Sequence, residues 1–136
     1  MGEPTDVVTR YFEALSTGDV DGAVELIATD ADFRTPLGPI PDREAVRAFL
    51  AGFDAAFPEA SYRIDTLLES SASVAAEGIY AGTHNGPLPL PDGSTLAPTG
   101  REVSTPFVTM FRVVRGQIVS HRPYWNVNEF LAQLTS

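Results

Sequence analysis

From residue 4 to 17, apolar side chains recur three and four positions apart (Val7, Val8, Tyr11, Phe12, Leu15), which predicts an amphipathic helix opened at Pro4 or Thr5 and stopped by "TGD" at 17–19. A second, shorter helix is expected over about 20–28, with Ala23, Val24, Leu26 and Ile27 inward, followed by a short extended piece, "ADFRT". The proline-rich "PLGPIP" at 36–41 reads as a loop. Asp42 then caps a third helix that lines up Val46, Phe49, Leu50, Phe53 and Phe57, with Pro58 just beyond its end.

After Pro58 the period changes from helical to alternating, which predicts four strands: 61–70, 73–84, 101–114 and 117–125. Arg115-Gly116 is a two-residue hairpin loop between the last two. Residues 85–100, "NGPLPLPDGSTLAPTG", form a long Pro/Gly-rich loop of the kind that often carries function. A short helix closes the chain after Asn126. Helices first, then a meander of strands, is the order of an α+β domain. A curved antiparallel sheet would wrap around three helices, its concave face enclosing a pocket and the 85–100 loop covering the mouth. One domain over 1–136 is expected.

Composition narrows the chemistry. Nine Lys+Arg against eighteen Asp+Glu give a net charge of −9, which repels polyphosphate, and no basic stripe offsets it, so nucleic acid is an unsuitable partner. The expected ligand is small and neutral or weakly polar. Cysteine is absent, which removes disulfides, thiol nucleophiles and thiolate ligands. No apolar run approaches the roughly 20 residues of a membrane span, and "MGEPTDVV" lacks the marks of a secretory signal; a cytoplasmic protein is the simplest reading. The two histidines stand far apart, so no metal is expected, and no phosphate-binding loop or nucleophile elbow appears.

Several stretches resemble a known family. "YFEALSTGDVDGAVELIATDADF" is similar to the opening of the nuclear-transport-factor-2-like superfamily. "GTHNGPLP", "APTGREV" and "FRVVRGQIVSHRPYWNVNEFLAQL" resemble the SnoaL-like polyketide cyclases within it, over about residues 7–134. The resemblance implies a cone-shaped α+β barrel with an apolar interior. It also implies cofactor-free intramolecular aldol ring closure of a polyketide, with a carboxylate at the end of the last strand as general acid/base. The pattern here reads Tyr124-Trp125-Asn126, so Asn126 stands where the family keeps its aspartate. Limonene epoxide hydrolases share the fold and need that aspartate too. Some relatives in anthracycline pathways instead hydroxylate a polyketide ring beside a separate reductase.

The candidate residues each have two readings. Asn126 either lines the pocket, where its amide could hold a substrate oxygen, or caps the last helix as the first member of an Asn126-x-x-Glu129 capping box; it cannot be a base. His84, sharing a strand face with Tyr80 and Gly82, is the proton-transfer candidate, against a role in anchoring the long loop. The hairpin places His121 opposite Met110 and Arg112 opposite Val119. If Asn126 faces inward so does Tyr124, a possible donor to a carbonyl, and His121 faces solvent or a partner subunit, unless Pro123 marks a bulge. Tyr80, Phe33, Phe49, Phe53, Met110 and Trp125 are the expected apolar lining of a pocket of roughly 300–1,000 Å³. Three functions follow: a cyclase-type enzyme acting on an apolar polyketide-like substrate, a cofactor-less hydroxylase with a reductase partner, or a non-catalytic binder. A homodimer through the outer sheet face is expected.

Overall fold

The computed structural model describes residues 2–90 and 92–135. Helices α1 (Glu3–Ser16) and α2 (Val20–Glu25) lead into strand β1 (Ile27–Thr35) and a short β2 (Gly38–Ile40). Helix α3 (Arg43–Ala56) follows, then β3 (Ser61–Ser70) and β4 (Ser73–Thr83). The long loop contains a minimal hairpin, β5 (Leu88–Pro89) with β6 (Thr95–Leu96). The chain ends with β7 (Glu102–Val114), β8 (Gln117–Tyr124) and α4 (Val127–Thr135). The fold is α+β, a curved sheet with four helices, and the six main strands run in the order β2-β1-β8-β7-β4-β3.

The amphipathic faces read from the sequence are the buried ones. In α1, Val7, Val8, Tyr11 and Phe12 are buried; in α3, Val46, Leu50 and Ala56 are. Asp42 caps α3 by accepting from the Ala45 amide at 2.8 Å. These faces meet the alternate residues of β4 and β7 (Val74, Ala76, Tyr80; Val103, Phe107, Phe111, Val113) in one apolar cluster. Among the described residues, no helix is long and apolar enough to cross a membrane.

Two local readings change. The second helix ends at Glu25 rather than near 28, because Ile27 and Ala28 already belong to β1, both buried. Apolar residues two to four apart fit either period, and tertiary pairing decides: β1 runs parallel to β8, the one parallel pair of the sheet. "PLGPIP" is not all loop either, since Gly38–Ile40 pair with Phe33–Thr35 at the sheet edge. An edge strand tolerates Pro39 because half of its backbone donors face away from the sheet.

The decisive feature lies between β7 and β8. Arg115 and Gly116 both have positive φ (54° and 77°), as a two-residue hairpin loop of this twist requires, and Val114 pairs with Gln117 as expected. One step later the register slips. Val113 pairs with Ile118 but Arg112 pairs with Ser120, so Val119 is an extra, unpaired residue. A bulge of this kind turns every later side chain to the other face. His121 therefore sits opposite Phe111, not Met110.

Candidate functional site

The concave face encloses a cavity of about 100 Å³ lined mostly by aromatic side chains, among them Phe12, Phe33, Phe49, Phe53, Phe107, Trp125 and Phe130. That is below the usual range for small-molecule sites and comparable to engineered apolar cavities that take a single ring. Of the expected lining, Tyr80, Phe33, Phe49, Phe53 and Trp125 are present. Met110 is not. On β7 the residues 103, 105, 107, 109, 111 and 113 point inward, and Met110 falls on the outer face between them.

The polar groups brought to this cavity differ from those expected. His121, 7 % exposed, lines it because of the bulge at Val119. Its ring stacks on Phe33 with centroids 3.9 Å apart and planes 2° from parallel, and it meets Tyr11 and Phe111 edge-on. Nδ1 lies 3.1 Å from the Arg34 carbonyl oxygen. A carbonyl only accepts, so Nδ1 carries the hydrogen and Nε2 is left with the lone pair. Burial pushes the imidazole down to about 4, against a smaller opposing pull from the Arg34 carbonyl, so the ring is neutral at pH 7. No side chain hydrogen-bonds to the ring among the described residues.

Three tyrosines, Tyr11, Tyr62 and Tyr80, also line the cavity, with Thr35, Thr105 and Thr109. Burial raises all three phenols well above their ordinary value, so they are donors at any working pH. No side chain hydrogen-bonds to their hydroxyls among the described residues. The Thr105 Oγ1 is buried without any partner, which costs about 1–3 kcal/mol in a folded protein.

The remaining sequence candidates lie elsewhere. Asn126 is exposed and outside the cavity; its Oδ1 accepts from the Glu129 amide at 2.9 Å, so it caps α4. Tyr124 is 59 % exposed, on the outer face opposite Val108. Both placements follow from the same bulge, which puts Pro123 and Trp125 inward in their stead. His84 is fully buried but does not line the cavity. Its Nδ1 accepts from the Thr99 amide at 3.2 Å and lies 3.0 Å from the Thr99 hydroxyl. Its own amide donates to Arg101 and its carbonyl accepts from Gly100, both at 2.9 Å. The ring thus ties the two ends of the 85–100 loop together against Phe57, and burial lowers its pKa. That loop does not cover the mouth: none of its described residues lines the cavity, and it is bound instead to the end of α3 through Asn85 and Gly86, both donating to the Ala56 carbonyl.

The histidine that does reach the cavity left no plain mark in the sequence: Ser120 and His121 alternate as in a regular strand, opposite Arg112 and Phe111, and the extra residue of the bulge is Val119, an ordinary strand residue. Tyr11 was hidden among the apolar positions of α1, and Tyr62 and Thr105 among ordinary strand residues.

Comparison with known proteins agrees with this architecture. IdmH from Streptomyces antibioticus, provisionally assigned as a polyketide cyclase, is 28 % identical, with 99 % of this chain and 100 % of that one covered and a TM-score of 0.77. A protein of Xanthomonas campestris pv. campestris with the same provisional assignment is 25 % identical, over 97 % and 96 % of the two chains, with a TM-score of 0.83. AclR of Streptomyces galilaeus, provisionally a hydroxylase, shares the fold at 22 % identity over 98 % and 81 %, TM-score 0.83. The family model described as a SnoaL-like domain matches residues 8–121, and the chain belongs to that family.

Proposed function

We propose that this chain is a polyketide cyclase-type enzyme that moves a proton on a small, neutral, ring-bearing ketone without a cofactor, and that His121 is the group that moves it. The observation that supports the reading is a neutral imidazole, its Nε2 lone pair unclaimed by any side chain, in the wall of an otherwise aromatic cavity. Burial brings its conjugate acid to about 4, close to the ordinary aspartate value of about 3.9. On the scale of proton affinity His121 occupies the place of the carboxylate that the family resemblance leads one to expect at position 126.

The chemistry is an intramolecular aldol closure. Nε2 removes a proton α to a carbonyl, and the electron pair shifts to that carbonyl's oxygen as an enolate. The enolate carbon bonds to a second carbonyl carbon of the same molecule, whose oxygen takes the proton back from the imidazolium. The aromatic walls exclude the water that would protonate the enolate first. The hydroxylase reading gains from the comparisons a likeness of fold alone. We further expect the protein to work in the cytoplasm as a homodimer, paired through the outer sheet face where Leu68, Ala75 and Met110 lie in one cross-strand row; sedimentation equilibrium tests the assembly.

A simple test uses 1-phenylhexane-1,5-dione, which closes to a 3-hydroxycyclohexanone and then loses water to give an absorbing cyclohexenone. Wild type should accelerate closure over buffer, and His121→Gln should lose about 10²–10⁴ of that acceleration. Equal rates for the two proteins would remove His121. No acceleration by wild type would leave a binding protein in place of an enzyme.

A further inference from the structure

Beside His121, the cavity carries a second polar region with no assigned work. Tyr62, Tyr80 and Thr105 are direct cross-strand neighbours: Tyr62 pairs with Tyr80 across β3 and β4, and Tyr80 with Thr105 across β4 and β7. They form one row on the concave face, six residues along β7 from the Phe111–His121 pair. The Tyr62 and Tyr80 rings lie 4.9 Å apart. Tyr11 stands between the two regions; its ring is 5.9 Å from that of His121, and its hydroxyl is electrostatically coupled to that of Tyr62.

All three side chains of this row carry a hydroxyl that can donate to a ligand oxygen. No side chain hydrogen-bonds to either tyrosine hydroxyl among the described residues, and Thr105 Oγ1 is buried and unpartnered although Thr105 is only 4 % exposed. Buried polar groups are nearly always satisfied, so the Thr105 hydroxyl, the one of the three that is wholly buried and unpartnered, calls for a partner from outside the chain, and the two phenols in its row can donate to the same atom. Behind the row, a crevice of about 10 Å³ is lined by Tyr62, Tyr80 and Asp54. The half-buried Asp54 carboxylate sets a negative field on both phenols, and it disfavours any second anion there.

We infer that the Tyr62–Tyr80–Thr105 row is an anchoring subsite for a neutral carbonyl oxygen of the ligand, a ketone or quinone oxygen rather than a carboxylate or phenolate. The inference rests on the proposed function for its substrate class but not for its evidence. The oxygen held here is the one that stays neutral, while the reacting carbon lies toward His121. A ligand with two carbonyls is the natural consequence, one gripped by the row and one enolised.

The test is binding, not turnover. Acetophenone labelled with ¹³C at the carbonyl, benzoate and ethylbenzene are titrated into the protein, and the infrared carbonyl band of bound acetophenone is recorded. Acetophenone should bind, with its band below the position seen in an alkane solvent, and benzoate should bind more weakly than acetophenone at pH 7. Tyr80→Phe, Tyr62→Phe and Thr105→Val should each weaken acetophenone by about three- to tenfold and return the band part of the way. Ethylbenzene, which has no oxygen, should bind these variants as it binds wild type, which shows that the cavity is intact. Asp54→Asn should tighten benzoate and leave acetophenone unchanged. The inference is overturned by benzoate binding as well as acetophenone, by a band the variants do not move, or by no binding of acetophenone at all. Acetophenone binding with these signatures, alongside a failed ring-closure assay, would keep the subsite and dismiss the catalytic reading.

Discussion

Lowering the pH from neutrality toward 4 should weaken this fold, and His121 sets much of the amount. In the unfolded chain the imidazole titrates near 6.5; in the folded chain burial holds it at about 4. Between those values the unfolded chain binds a proton that the folded chain refuses. The stability His121 contributes is therefore complete above about 6.5 and is lost as the pH falls toward 4. At about 1.4 kcal/mol per pH step, the interval from 6.5 to about 4 amounts to roughly 3 kcal/mol. Against a typical total of about 5–15 kcal/mol that is a large share. Other groups act in the same direction: the buried His84, and the carboxyls of Glu69 and Asp92, lowered chiefly by hydrogen bonds from Thr5 and Ser94. The measurement must therefore be a difference. Urea unfolding of wild type and of His121→Gln, followed by the single tryptophan and by far-UV circular dichroism, isolates one group. The stability advantage of wild type over the variant should shrink by roughly 3 kcal/mol between pH 7.5 and 4. Two curves falling in parallel would refute the reasoning, and with it the neutral, carboxylate-like base at position 121.

Two further outcomes are expected. Asn126→Ala should cost about 1 kcal/mol in thermal or urea unfolding through the lost α4 cap, whereas Asn126→Asp, an equally good cap, should change stability by only a few tenths. Neither should alter acetophenone binding, because the side chain lies outside the cavity. Gly86→Ala would bring a Cβ to 2.0 Å from the Ala55 carbonyl oxygen, so the 85–100 loop must lift from α3. Faster hydrogen exchange at the amides of Asn85 and residue 86, which both donate to the Ala56 carbonyl, would register it.

Much of this architecture was legible. The apolar stripes of α1 and α3 are strong signals because a helix buries one face and the residues there have no other reason to repeat at that spacing. The hairpin at Arg115-Gly116 was legible because a two-residue loop with both φ angles positive leaves few choices of residue. Asn126 with Glu129 three residues on reads as a cap, and the cap is what forms. What was not legible is pairing between distant segments. Ile27 and Ala28 suit a helix end as well as a strand, and only the parallel ladder with β8 decides. Tyr11 reads as core because it is core; that it also lines a hollow depends on side chains of β3 and β8, far away in sequence.

The misplacement of the β8 residues has a single physical origin, and it bears on how the chemistry here is organised. Alternation along a strand is a rule about parity, and an inserted residue reverses it for everything downstream. In β8 the residues before Val119 hold the pairing the hairpin dictates, with Ile118 buried; those after it hold the opposite one. Without the bulge, Arg122, Tyr124 and Asn126 would point into the aromatic interior, and an arginine there would need a partner that none of the lining residues offers. With it, the buried set is His121, Pro123 and Trp125, an imidazole that can be held neutral and two apolar side chains. The cavity therefore tolerates His121 for the same reason that the imidazole is a weak base: burial among aromatic side chains disfavours the charged form. Besides His121, the polar character the site still has comes from hydroxyls, three phenols that stay protonated and three threonines of which Thr105 is left without a partner. A wall of donors facing a lone acceptor nitrogen defines the ligand by complement: an oxygen to receive, and a carbon-bound proton to give.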